Sequence, residues 1–210
     1  MTAKDAPVGV VNYGAGNLFS VLRGLRHVGF FPEVISQPED VERFEKLVLP
    51  GVGAFGKGMS NLESARMPPA LCAHAAAGKP LLGICLGAQL LMEWGTEYGH
   101  HKGLGLLEGG VEAIPKTAGM KIPHVGWSSL LEASPWTGTL LADIRPDDQF
   151  YFVHSFVCRP KREEDTLAYI GDNPEGLVAV ISRKNVIGVQ FHPELSSYAG
   201  IAILRRFRNL

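Results

Sequence analysis

The residues best suited to chemistry are a cysteine with glycine two positions to either side, Gly83-Ile84-Cys85-Leu86-Gly87, and a histidine two positions before a glutamate, Phe191-His192-Pro193-Glu194. A thiolate is a nucleophile, an imidazole can carry protons to and from it, and a carboxylate beside the imidazole holds its tautomer and stabilises the imidazolium. Pro80 to Ile84 reads as a short buried strand and Leu86 to Trp94 as a helix, so Cys85 falls on the turn between them. That layout is a nucleophile elbow with Cys in place of Ser. The flanking glycines are read as leaving room for the turn's own backbone. A helix N-terminus adds a dipole that favours the thiolate. On an extended segment, His192 and Glu194 would point the same way.

A second glycine-rich stretch, Pro50-Gly51-Val52-Gly53-Ala54-Phe55-Gly56, spells G-x-G-x-x-G. A dinucleotide fingerprint would open the first strand-helix-strand unit and meet an acid about 20 residues later. Here the motif follows the third predicted strand, and the downstream region, Pro68 to Ala76, holds no acid. A P-loop is excluded as well, because no Gly-Lys-Ser/Thr follows. Bare backbone N–H groups near the elbow are instead suited to stabilising an oxyanion. His27, His74, His100 and His101 have no ligand spacing, so neither a metal nor a cofactor is expected. His154 reads equally well as a structural or a site histidine.

Positioning these groups requires a sheet. Val8 to Asn12, Phe31 to Ile35 and Lys46 to Leu49 read as strands. Between and after them lie helical patterns: one capped by Asn17 that carries Leu18, Val21, Leu22 and Leu25, then Met59 to Ala65 and Pro69 to Ala77. Such alternation implies a parallel sheet. From Gly103 the chain reads mostly as strands: Leu104 to Leu107, Gly110 to Ile114, Pro123 to Leu131, Phe150 to Val157, Thr166 to Ile170, Leu177 to Ser182 and Val186 to Phe191. A last helix spans Tyr198 to Arg208.

With 210 residues, the chain is expected to form one α/β domain over residues 1–210, with residues 1–7 as a flexible leader. A formal charge of −1 gives no electrostatic case for nucleic acid or a membrane surface. Three widely spaced cysteines, Cys72, Cys85 and Cys158, argue for reduced thiols rather than a disulfide framework or zinc site. With no apolar signal core and no stretch of spanning length, cytoplasm is the expected compartment.

Gly83-Ile84-Cys85-Leu86-Gly87-Ala88-Gln89 together with His192-Pro193-Glu194 resembles the class I glutamine amidotransferases, whose Cys-His-Glu triad hydrolyses glutamine to glutamate and ammonia. Asn12-Tyr13-Gly14-Ala15-Gly16-Asn17-Leu18, Pro50 to Phe55, Pro123-His124-Val125-Gly126-Trp127 and Tyr151-Phe152-Val153-His154-Ser155 resemble the branch that works in histidine biosynthesis. The resemblance runs from about Val8 to the C-terminus. It implies a flavodoxin-like, mostly parallel central sheet flanked by helices, with additional antiparallel strands in the second half. Cys85 would attack the carboxamide, His192 would shuttle protons and Glu194 would orient it. Backbone N–H groups of Val52 and Leu86 would hold the oxyanion, while Gly51, Gly53, Gln89, Ser155 and Phe156 would hold L-glutamine. The implied partner is a (βα)8-barrel cyclase of the HisF type, forming a heterodimer that channels ammonia into imidazole glycerol phosphate and an aminoimidazole carboxamide ribotide.

The partner face implied by the resemblance contains Trp127, Ser128 and Leu195. The family usually has Lys where Leu195 stands, Asn at Ser128, Tyr at Phe156 and Asp at Asn12. Two other readings remain open: a paralogue supplying ammonia to a different synthase, such as one amidating a nucleotide sugar, and a scaffold subunit without turnover.

Overall fold

The computed structural model describes residues 6–116, 121–171 and 176–210. The first half alternates strand and helix: β1 (Ala6–Val11), α1 (Leu18–His27), β2 (Phe30–Ile35), β3 (Leu47–Gly51), α2 (Phe55–Ser64), α3 (Met67–Ala76), β4 (Leu81–Cys85) and α4 (Leu86–Leu90). Short strands follow: β5 (Met92–Gly95), β6 (His101–Lys102), β7 (Leu107–Ala113), β8 (His124–Ser128), β9 (Leu130–Glu132), β10 (Phe150–His154), β11 (Phe156–Pro160), β12 (Thr166–Ile170), β13 (Val178–Arg183) and β14 (Val186–Val189). Helix α5 (Ser197–Asn209) comes last.

The central sheet has eight strands in the order β2-β1-β3-β4-β14-β13-β12-β9. From β2 to β14 neighbouring strands run parallel, and from β14 to β9 they run antiparallel. This is the expected fold class. Every residue of β3 and β4 is buried, as an unbroken apolar run in a parallel strand covered on both faces should be. Asn17 caps α1, its side-chain oxygen accepting from the Ser20 N–H at 3.3 Å. Helix α5 packs its Phe207 ring 6.1 Å from that of Phe30 on β2.

Several expectations need correction. Of the expected leader, residues 1–5 lie outside the described residues, whereas Ala6 and Pro7 are already in β1, paired with Phe30 and Phe31. The helix expected to reach Trp94 stops at Leu90, and Met92–Gly95 forms β5. The reason is competition for carbonyls: those of Leu90, Leu91 and Met92 accept from the N–H groups of Leu104, of Leu106 and Leu107, and of Gly105. Leu104 to Leu106 therefore closes α4 instead of forming a strand. The run from Pro123 to Leu131 divides into β8 and β9, and that from Phe150 to Val157 into β10 and β11. Strands β8 and β10 pair as a separate two-stranded ribbon, β9 edges the central sheet, and β11 joins the four-stranded sheet β11-β7-β5-β6. Finally, β14 ends at Val189, leaving Gln190 and Phe191 to bend toward His192.

Candidate active site

Cys85 is the last residue of β4 and the residue before α4, with φ 54° and ψ −110°. A non-glycine residue held there is strained by about 1–3 kcal/mol, a cost that concentrates where geometry serves function. The flanking glycines act in two ways. A Cβ on Gly83 would come within 2.7 Å of the Ala88 backbone, as expected of the turn itself. A Cβ on Gly87 would instead strike the Leu49 carbonyl of the neighbouring β3, so this glycine lets α4 lie against the sheet.

His192 and Glu194 are buried, with Nδ1 of the ring 2.8 Å from Oε1 of the carboxylate. The expected juxtaposition is present, but it does not come from an extended run: Pro193–Leu195 is a turn of 3-10 helix, and only His192 is extended. Glu194 sits against Gly24 of α1, where an added Cβ would lie 3.5 Å from the Glu194 Cβ and 3.0 Å from Leu204. His192 is anchored through its backbone: its N–H donates to the Tyr151 carbonyl at 2.9 Å. Its carbonyl accepts from Ser196 Oγ at 2.6 Å, and that hydroxyl oxygen accepts from the Tyr151 N–H at 3.0 Å.

Burial opposes charge on the His192 ring, but the Cys85 sulfur and the Glu194 carboxylate together push it up to about 10. The Nε2 of His192 is buried and has no hydrogen-bond partner among the described residues, so it is the free valence on the side of the ring away from Glu194. Burial, with the Cys85 charge adding to it, raises the Tyr13 phenol, whose oxygen is also without a partner.

The thiol opens into a cavity of about 340 Å³ lined by Gly53, Ala54, Leu86, Gln89, Glu97, Pro123, His154, Ser155 and Phe156, among others. Gly53, Leu86, Gln89, Ser155 and Phe156 thus lie together around the thiol. Gly51 and Val52 do not line the cavity. Gly51 is buried at the end of β3, where a Cβ would run into the Tyr13 hydroxyl, and Val52 is 46% exposed. Gly53 has φ +109°, open to glycine and strained for other residues.

Several contributors escaped sequence reasoning. Glu97 accepts from the Phe55 N–H at 2.8 Å, capping α2, and is itself among the residues lining the cavity. Gln190, Ser196 and the pairing of His124 with His154, of which the sequence singled out only His154, form the polar scaffolding around the thiol and ribbon. Their only signal was a polar residue inside an apolar run. Trp127 and Leu195 are 53% and 39% exposed, and Ser128 Oγ lies 3.2 Å from His124 Nε2. Among the described residues, no group of three or more His, Cys, Asp or Glu could hold a metal, and no helix is long and apolar enough to cross a membrane.

A thiol on a strained elbow above a parallel sheet, with a histidine paired to a buried glutamate, has the make-up of a thiol nucleophile with a proton carrier and a carboxylate to orient it. The profile of the family described as glutamine amidotransferase class-I matches residues 9–209. Imidazole glycerol phosphate synthase subunit HisH from Wolinella succinogenes is 45% identical over 207 residues, covering 95% of this chain and 98% of its own. The subunit HisH of Desulfitobacterium hafniense (strain DSM 10664 / DCB-2) is 44% identical over 95% of this chain and 92% of its own, and HisH 1 of Legionella pneumophila (strain Lens) is 40% identical over 95% and 97%. A solved glutamine amidotransferase shares the fold with a TM-score of 0.74 at 22% identity, covering 96% of this chain and 97% of its own. The chain belongs to the class-I glutamine amidotransferases, in the HisH family.

Proposed function

We propose that the chain hydrolyses L-glutamine through Cys85, His192 and Glu194 and delivers the ammonia to a (βα)8-barrel cyclase, the glutaminase half-reaction of imidazole glycerol phosphate synthase in histidine biosynthesis. The observation that carries this reading is the buried pairing of His192 Nδ1 with Glu194 Oε1 at 2.8 Å in a molecule whose Cys85, held on a strained elbow, opens into a cavity.

Cys85 as thiolate attacks the carboxamide carbon, forming the C–S bond and placing negative charge on the oxygen. The Leu86 N–H, at the start of α4 and beside the cavity, is the first candidate donor to that oxygen. Val52, at the exposed end of its loop, would become the second donor once its peptide turns toward the cavity. The intermediate collapses as the C–N bond breaks and His192 gives its Nε2 proton to the departing ammonia. The neutral ring then takes a proton from water as the water oxygen attacks the thioester. Loss of the C–S bond returns the thiolate beside the imidazolium and releases glutamate. Glu194 holds the ring throughout.

Gln89, Gly53, Ser155 and Phe156 are the groups proposed to seat the substrate. The Glu97 carboxylate suits the α-ammonium of an amino acid. The shared description of the relatives favours the cyclase as partner over a nucleotide-sugar synthase, and such a pathway belongs in the cytoplasm. The test is to co-express the chain with its cyclase and measure glutamine-dependent product formation. Cys85→Ala should abolish it and leave the reaction with added ammonium salts intact. Loss of both activities in a folded complex would refute this division of labour.

A further inference from the structure

A continuous hydrogen-bond chain runs from the cavity wall to the thiol. The Phe156 carbonyl accepts from Gln89 Nε2 at 3.1 Å, the same nitrogen donates to Gln190 Oε1 at 3.0 Å, and Gln190 Nε2 donates to Cys85 Sγ at 3.7 Å. Its polarity is not arbitrary. A backbone carbonyl can only accept, so Gln89 must present its NH2 group there. That group has two hydrogens and meets Gln190 with the second, so Gln190 must answer with its oxygen. Its own NH2 is then left facing the sulfur. His154 Nδ1 also donates to the Phe156 carbonyl, at 2.8 Å, which fixes the anchor from a second side. Gln190 is 2% exposed, and its N–H is tied to the Ala179 carbonyl at 2.8 Å, so the side chain has little freedom to turn away.

From this geometry we infer that Gln190 is a positioning residue for the nucleophile, an amide donor locked in one orientation that holds the Cys85 sulfur and favours its anionic form. An N–H aimed at sulfur is worth more to a thiolate than to a thiol or thioester, because a charged acceptor forms the stronger bond. The donor therefore acts on free enzyme and weakens when the sulfur is acylated. Gln89 gains a role beyond that expected from the sequence. With both hydrogens taken by Phe156 and Gln190, it can offer the substrate only its oxygen.

The inference rests on Cys85 being the glutaminase nucleophile, and alkylation separates the two ideas because it reads the sulfur without glutamine. The holoprotein, with its cyclase, is treated with iodoacetamide across a pH series and the modified peptide is quantified. Gln190→Met removes the donor at nearly constant length. It should slow Cys85 alkylation about tenfold at neutral pH and move the half-maximal rate to higher pH by about one unit, with rates converging in alkali. A Gln190→Met profile overlapping the wild-type one would overturn the role of Gln190, whereas a wild-type Cys85 no more reactive than Cys72 would overturn the nucleophile itself. A measurement on the unsubstituted side chain guards against a misfolded variant. In nitrogen-15 spectra, one slowly exchanging glutamine side-chain amide should shift when Cys85 is alkylated, and an unchanged set of these signals would equally overturn the inference.

Discussion

Tyr151 and His192 are joined backbone to backbone, the His192 N–H donating to the Tyr151 carbonyl at 2.9 Å, while the Tyr151 ring meets the exposed Trp127 edge-on at 5.8 Å. The proton-carrying residue is thereby fastened to the β8-β10 ribbon, whose outer face bears Trp127. A single buried hydroxyl completes the fastening. Ser196 Oγ donates to the His192 carbonyl and accepts from the Tyr151 N–H.

Ser196→Ala removes both bonds at once and leaves the Tyr151 N–H unpaired, while the His192 carbonyl keeps the bond it accepts from the Leu195 N–H at 3.0 Å. Destabilisation of about 1–3 kcal/mol is expected. Glutamine turnover should fall as well, because His192 loses one of the three hydrogen bonds that anchor its backbone. Thermal unfolding together with glutaminase kinetics checks this. Unchanged turnover would show that the bonds to the Tyr151 carbonyl and the Leu195 N–H suffice to position the ring.

The three thiols differ in environment, which predicts selective labelling. Burial, with the Cys85 charge adding to it, pushes the Cys158 thiol up to about 12, and burial also raises Cys72. Neither sits on an elbow at the cavity. A glutamine-like electrophile should label Cys85 and spare both others at neutral pH. Peptide mapping that found the label on Cys72 would contradict the assignment.

Much of this site was legible in the sequence because its signals are local. Glycines at 83 and 87 and a His-Pro-Glu run betray themselves within a few residues. What escaped depends on distant partners. Leu86 to Trp94 has the pattern of one helix, and only the N–H groups of Leu104 to Leu107, claiming the carbonyls of residues 90 to 92, end it early. The apolar run from Phe150 to Val157 gives no hint that Ser155 marks a change of sheet. Gln190 looks like the end of a strand, and its meaning comes from Gln89 and Cys85, each about a hundred residues away. The Gly87 case is similar: its glycine was read correctly as required, but the atom demanding it belongs to β3 rather than to the turn.

The His192-Glu194 couple sets an alkaline limit. The folded value of about 10 lies above the ordinary 6.5. The charge on His192 therefore contributes stability that is fully present below pH 6.5 and is lost as pH rises through 10. Glu194→Gln removes one of the two groups that raise the ring, so the alkaline limb of glutamine turnover should move to lower pH. Turnover should fall less than for His192→Ala, since an amide can still orient the ring. A pH-rate profile unmoved by Glu194→Gln would remove the carboxylate from the mechanism.

His154 behaves in the opposite sense. Burial lowers it to about 4, against the Phe156 carbonyl bond that raises it. Because its Nδ1 donates to that carbonyl, its Nε2 must accept from His124 Nδ1 at 3.2 Å. The neutral ring contributes stability present above pH 6.5 and lost as pH falls through 4, at roughly 1.4 kcal/mol per pH unit within that window. Urea unfolding between pH 7 and 4 should show this loss, and His154→Gln should flatten it. A slope retained in the variant would place the acid sensitivity elsewhere.

Leu195 is the residue on the proposed cyclase face that departs most in chemistry from the usual Lys of the family. At 39% exposed it offers apolar surface and no charge, and the neighbouring ribbon presents Trp127 and Val125 at 53% and 54%. Association should therefore draw on apolar contact, with Trp127→Ala weakening cyclase binding by about 2 kcal/mol or more as a buried aromatic anchor. A rim ion pair contributes only about 0–1 kcal/mol, so its absence need not prevent assembly. Binding measured by calorimetry at low and high salt should change little, and Leu195→Lys should not tighten it unless the cyclase presents an acid opposite. Steep weakening with salt, or a tenfold gain from Leu195→Lys, would show that a charged contact governs this interface after all.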